Sequence, residues 1–288
     1  MTKLNTILKT SVLALAVLVI AFMFSACGKS SQFSEVKVDT KANYANSTLT
    51  EVNEAFAEST PSEPGEESVS GFHMSINMAI SNVTPAGTVN STAKYNMYFK
   101  NTTNANGNKM EVAMKISGTA NGQKQGATLY YIVNDPNEGE GTEEFYANID
   151  NMEDYTTPGA TISGKYKFTS ESDLGEMLLM TCEMMYSMVE ALSPFGENEF
   201  FVETNQFAMA TKGDTTKIRI VIPGATEAEN ATAYYILKNG QFDSFKVENL
   251  VDSDEYGSET INMAVKSWAG DIDYPSFKKY KEYQPVVA

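Results

Sequence analysis

Few side chains in this sequence have the chemistry to attack a substrate, move a proton or hold a metal. Its 288 residues include one histidine, His73, and two cysteines, Cys27 and Cys182. A cysteine nucleophile needs a base beside it, and the thiol and imidazole available for that are Cys182 and His73. Cys182 falls at the edge of an apolar helical face, where thiols are buried and unreactive. His73 alternates with apolar neighbours and falls on the polar side of a strand. One histidine with one spare cysteine does not make a zinc site. In the acidic stretch 252–259, Asp252, Asp254 and Gly257 match the first, third and sixth positions of a calcium loop. Tyr256 and Met263, however, stand at the fifth and twelfth positions, where oxygen ligands are required. Glu138, Glu140, Glu143 and Glu144 form a second acidic region, and both read as solvated turns. Ser34 with Lys37 spells a Ser-x-x-Lys pattern inside a polar segment. A Gly-x-Ser-x-Gly elbow and a glycine-rich phosphate loop are both missing from the sequence. The reading is of a protein that is not an enzyme, with no catalytic residue, no cofactor and no metal site.

Cys27 has a different kind of chemistry. Lys3 and Lys9 precede an uncharged run from 10 to 26 that contains Leu13, Leu15, Val17, Leu18, Val19 and Ile20. A basic start, a short apolar middle and small residues at the end describe an export signal, and the run is short for a membrane-spanning helix. Phe24-Ser25-Ala26-Cys27 resembles the lipobox of bacterial lipoproteins, with Phe24 in place of the more usual Leu. That resemblance implies cleavage before Cys27, S-diacylation of its thiol and attachment to a membrane through the acyl chains. The other reading is an ordinary signal peptide with an incidental cysteine.

Removing residues 1–26 takes away Lys3 and Lys9 and no acid, so the formal charge of −16 becomes about −18. Such a field repels nucleic acid and anionic surfaces and favours solubility. With Cys27 acylated, Cys182 has no disulfide partner within the chain, so stability must come from a packed core.

The elements that would position any site follow from periodicity. Residues 28–46 are polar and read as a tether, and 58–71 read as a loop. Between them, Thr48 and Glu51 fit a capping box ahead of Leu49, Val52 and Phe56 at helical spacing. From Phe72 the period drops to two. Phe72, Met74, Ile76, Met78 and Ile80 face one way, and His73, Ser75 and Asn77 the other. Tyr95, Met97 and Phe99 repeat the pattern, as do Met110, Val112, Met114 and Ile116. Further strands are expected over 128–134, 144–149, 161–168, 200–211, 217–222, 232–238, 242–250 and 260–268. Turn signals such as Asn106-Gly107, Asp135-Pro136 and Asn239-Gly240 separate them. The segment 172–194 breaks the meander with a helical stripe through Met177, Met184, Met185 and Met188. The segments "ATLYYIV" from Ala127 and "ATAYYIL" from Ala231 echo one another, which is compatible with two related half-sheets or with chance, and one domain is kept.

The expected fold is α+β and mostly antiparallel β. It is a curved half-barrel-like sheet with a short N-terminal helix and a long amphipathic helix packed on it. The expected organisation is a signal peptide at 1–26, an anchor and tether at 27–46, a single domain at 47–271 and a C-terminal tail at 272–288. This order of elements, opened by the "GFHMSINM" strand, resembles the LolA/LppX-like lipoprotein-carrier superfamily over roughly residues 46–271. The resemblance implies an apolar interior that holds acyl chains, and no family site residue carries over by position.

Methionine is flexible and polarisable, so a surface built from it accommodates ligands of variable shape. Met74, Met78, Met97, Met114, Met177, Met184 and Met188 are therefore the candidate lining of a cavity for a lipid or other hydrophobic molecule. Ordinary core packing explains them equally well. The functional expectation is an extracytoplasmic lipoprotein of a bacterial cell envelope, anchored on the outer side of a membrane through Cys27, binding such a ligand and no nucleic acid. The alternative is a cell-surface interaction module for protein or glycan, and the sequence names no partner protein.

Overall fold

In the computed structural model, the residues described are 32–57, 68–84, 87–120, 123–137, 139–153, 161–169, 176, 180, 200–254 and 257–284. They form one 13-stranded sheet and one nine-residue helix. The strands are β1 (Ala45–Ser47), β2 (Ser68–Thr84), β3 (Gly87–Asn104), β4 (Gly107–Ala120), β5 (Gln123–Pro136), β6 (Thr142–Glu153) and β7 (Thr161–Phe168). They continue with β8 (Gln206–Lys212), β9 (Thr215–Ile222), β10 (Ala231–Lys238), β11 (Gln241–Asp254), β12 (Gly257–Ser267) and β13 (Lys281–Glu282). The order across the sheet is β1-β8-β9-β10-β11-β12-β2-β3-β4-β5-β6-β7-β13. Two antiparallel meanders, β2 to β7 and β8 to β12, are thus stitched along a seam where β12 pairs with β2 from Gly257↔Asn82 to Ser267↔Phe72.

This corrects the expected half-barrel with a long helix packed on it. The sheet is a single mixed sheet, because β13 runs parallel to β7 while its other pairings are antiparallel. Of the segment 172–194 only Glu176 and Met180 are described, both helical and both exposed. The remainder of that expectation, with Met177, Met184, Met188 and Cys182, lies outside the described residues. The error has a physical source. A 3.6-residue stripe shows that a segment has an apolar face, but it says nothing of which surface that face meets. The sheet is also larger than expected, since the segments read as tether and tail contribute β1 and β13 and cover its two edges.

Other boundaries moved as well. β2 begins at Ser68, within the expected loop, because Gly71 can run beside backbone that a side chain would strike: a Cβ there would lie 2.3 Å from the Phe99 carbonyl oxygen. The strand expected at 200–211 starts only at Gln206, since 201–205 form a turn held by Asn205, whose Nδ2 donates to the Phe200 carbonyl (2.9 Å). Pro136 ends β5 in register with Gly107 instead of opening a turn. Asn239 and Gly240, with φ of 50° and 69°, make the two-residue hairpin turn that matches strand twist.

The helix α1 (Leu49–Ala57) begins as its capping box requires. The Thr48 N–H donates to Glu51 Oε2 (2.7 Å), and the Glu51 N–H donates to Thr48 Oγ1 (3.2 Å). Its buried Val52 and Phe56 pack on the sheet, with the Phe56 ring 5.5 Å from Tyr235 and 5.1 Å from Phe201.

Alternation sorts the sheet into an inner and an outer face. One cross-strand row on the inner face runs Met209, Ile218, Tyr235, Phe245, Val265, Met74, Met97, Met114, Leu129, Ala147. From Ile218 to Ala147 every member is at most 2% exposed, which makes this row the centre of the core. The neighbouring row on the outer face runs Lys217, Ile236, Ser244, Lys266, His73, Tyr98, Ala113, Tyr130, Tyr146, Lys167. Lysines stand on β9 and β12, aromatic side chains on β3, β5 and β6, and Lys167 on β7 closes the row.

The echo between "ATLYYIV" and "ATAYYIL" extends into three dimensions. Tyr131 in β5 pairs with Phe145 as Tyr235 in β10 pairs with Phe245. The following strand of each pair carries a register shift with an asparagine at positive φ, Asn151 (61°) and Asn249 (56°).

Candidate functional site

The outer face is covered by residues 32–41 and 272–280. At its aromatic half, Ala113, Tyr130 and Tyr146 are buried under Ile272, Tyr274, Phe277 and Tyr280 of the C-terminal segment. Phe277 stacks on Tyr146 with ring centroids 3.9 Å apart. The Tyr274 hydroxyl donates to Glu111 Oε1 (3.0 Å), and Lys109 pairs with the same carboxylate (2.8 Å). Burial first, and then the Glu111 charge, push the Tyr274 phenol far above its ordinary range.

The N-terminal segment crosses the face as a strap. Gln32 locks to the C-terminal segment through paired hydrogen bonds, its Nε2 donating to the Asp273 carbonyl (3.0 Å) and its Oε1 accepting from the Asp273 N–H (2.9 Å). The Tyr98 hydroxyl donates to the Gln32 carbonyl, and the Val36 N–H donates to Ser75 Oγ (2.8 Å) on β2. Beyond the seam, Lys217 on β9 clasps the strap with one ammonium, donating to the Asp39 carbonyl (2.7 Å), Asp39 Oδ2 (2.9 Å) and the Lys41 carbonyl (3.1 Å). That hydrogen bond from Lys217 is the main reason the Asp39 carboxyl lies below its usual range. Tyr44 then packs under the guanidinium of Arg219 (5.0 Å to the ring centre), and burial raises its phenol to about 12. The strap ends in β1, paired with β8 from Ala45↔Met209.

Between strap and sheet lies a cleft of about 930 Å³. Its walls carry six lysines, Lys37 and Lys41 from the strap and Lys212, Lys217, Lys238 and Lys266 from β8, β9, β10 and β12, against two acids, Asp39 and Asp243. The buried Ile236 forms part of its floor. Lys238 bonds Asp243 (2.7 Å). Burial is the largest single influence on Asp243 and would raise its carboxyl. The hydrogen bonds from Lys238 and Ser244 and the charges of Lys238 and Lys266 together outweigh it and hold the group low. Lys37, Lys41, Lys212 and Lys266 have no ion-pair partner recorded among the described residues.

His73 sits beside the cleft on the same outer row, between Lys266 and Tyr98. Its ring stacks on Tyr98 at 4.0 Å and 12°. Nε2 is buried and has no hydrogen-bond partner among the described residues. Burial lowers the imidazole from 6.5 to about 4, against the weaker opposing pull of a backbone hydrogen bond with Ser34.

Of the residues singled out by sequence, Met74, Met97 and Met114 are adjacent on one inner row, and Met78, four residues further along β2 on the same face, is 3% exposed. They are packed in the core. Met177, Met184, Met188 and Cys27 lie outside the described residues. Asp252 and Asp254 both stand in the β11 arm of the β11–β12 hairpin, in register with Glu259 and Gly257, and Met263 is 4% exposed in the core.

Sequence reasoning missed the cleft, because a lysine at the end of a strand reads as a solvated residue when its cross-strand neighbours are unknown. The available signal was position. Lys212 and Lys238 directly precede the tight turns at Gly213 and Asn239, where the side chains of adjacent hairpins converge. The chain matches no known family model, no curated protein and no solved structure.

Proposed function

We propose that this chain is a lipid-anchored, extracytoplasmic binding module of a bacterial cell envelope, working without catalysis and presenting the strapped outer face of its sheet to a ligand. The observation that carries the reading is the strap. The chain that follows the lipobox-like Cys27 docks at Gln32, crosses the sheet and becomes one wall of the lysine-lined cleft. Five residues span at most about 18 Å when extended. Acylation of Cys27 therefore holds the docked face within that reach of the membrane. The test is metabolic labelling with an alkyne-tagged fatty acid followed by fractionation. The wild-type chain takes up label and sediments with membranes, and Cys27→Ser loses the label and appears in the soluble fraction. An unlabelled wild-type chain found soluble sinks the anchored reading.

A second reading starts from the contiguous row Met74–Met97–Met114, packed at 0–1% exposure on the inner face, which a ligand would have to part to enter. In it, the module holds a lipid or other apolar molecule against that face, as the lipoprotein-carrier resemblance implies. Native mass spectrometry of detergent-free protein, followed by solvent extraction, decides it. A stoichiometric lipid supports the reading, and a clean apo mass after incubation with envelope lipids removes it.

A further inference from the structure

We propose that the cleft between strap and sheet binds a phosphate-bearing anion, an inference that rests on the outer face being the binding face. In a chain of net charge −16, this one concavity gathers six lysines against two aspartates. A concave low-dielectric wall focuses that local field, so the cleft attracts anions although the molecule as a whole repels them. Four of the six lysines form no ion pair among the described residues. Lys217 is committed to the strap and Lys238 to Asp243. The ammoniums of Lys37, Lys41, Lys212 and Lys266 stand on two opposing walls with no ion pair recorded among the described residues.

Lysine binds phosphate oxygens as a compact point charge and does not need the planar bidentate geometry that a guanidinium supplies. The chain has a single arginine, Arg219, and it is occupied with Tyr44. The cleft is therefore a lysine-only site. Its volume of about 930 Å³ exceeds the needs of one small ion and admits a ligand with several phosphates or a phosphate on a larger body.

The experiment uses the mature chain from residue 27 with Cys27→Ser, titrated with tripolyphosphate by calorimetry. In a separate arm the same protein is floated with vesicles of phosphatidylglycerol or phosphatidylcholine. The test variant is Lys212→Glu with Lys266→Glu, two exposed positions whose side chains make no ion pair among the described residues. The control, Lys124→Glu with Lys278→Glu, makes the same change in net charge away from the cleft. Binding of tripolyphosphate that weakens with salt, falls about tenfold or more in the cleft variant and changes little in the control supports the site. If phosphatidylglycerol vesicles are bound and tripolyphosphate is not, with the same variant dependence, the phosphate belongs to a lipid headgroup. The reverse assigns it to a soluble or polymeric ligand. No binding in either arm, or equal loss in both variants, overturns the proposal. Failure of Cys27 acylation leaves these measurements unaffected, so the two readings fail separately.

Discussion

Acidification from pH 7 to pH 5 should destabilise the protein through His73, and by an amount the structure allows to be worked out. The imidazole is buried enough to be lowered from 6.5 to about 4. Its register neighbours, Lys266 on β12 and Tyr98 on β3, offer no acid to stabilise an imidazolium, and the strap contributes the Ser34 backbone. The unfolded chain therefore takes up a proton near pH 6.5 that the folded chain refuses until about pH 4. Stability from this group is fully present above 6.5, falls as the pH drops through that window, and stops falling below 4. Between pH 7 and 5 the full linkage would be about 2 kcal/mol. The ring is only half-buried, so solvent screening reduces this to about 1 kcal/mol. His73→Phe keeps the stack on Tyr98 and removes the proton site. Urea unfolding of both proteins at pH 7 and pH 5 cancels the titration of carboxylates common to the two. The wild type should lose about 1 kcal/mol more than His73→Phe over that interval. Equal losses would refute the desolvation argument.

Three further outcomes are expected. Met97→Ala removes a side chain that is 1% exposed at the centre of the inner row and should cost about 2–5 kcal/mol in chemical denaturation, the range for buried large-to-small changes. Tyr274→Phe deletes the hydroxyl that donates to the Glu111 carboxylate and should cost about 1–3 kcal/mol by the same measurement, with the aromatic packing kept. Truncation after Gly270 uncovers Tyr130 and Tyr146, and should lower the melting temperature and induce binding of an apolar dye that the full chain does not bind.

Much of the sheet was legible because its strands carry a strict period of two. The alternation of Phe72, Met74, Ile76, Met78 and Ile80 against His73, Ser75 and Asn77 states which face each residue takes, and the structure puts them there. Thr48 with Glu51 was equally readable, since a capping box is a contact between residues three apart. Strand order was not, because period two carries no information about neighbours. The seam pairs Phe72 with Ser267, and no local pattern announces so distant a contact. The cleft stayed hidden for the same reason: Lys41, Lys212, Lys238 and Lys266 come together only once the strap is laid across β9 to β12. The strap itself was misread through composition. Residues 32–46 are polar enough to resemble a tether, yet their backbone and side-chain polar groups find partners on the outer face.

The strap also decides how the molecule responds to force. Tension at the N-terminal end enters at Gln32 and meets the contacts of the outer face in sequence, first the Gln32–Asp273 pair, then Val36 on Ser75, then the Lys217 clasp. Loaded this way the contacts peel one after another, whereas the long strands of the sheet, held in register by many hydrogen bonds, stay unloaded until β1 is reached. A domain pulled by its leash would thus give up the strap, and with it one wall of the lysine cleft, before its core felt any strain.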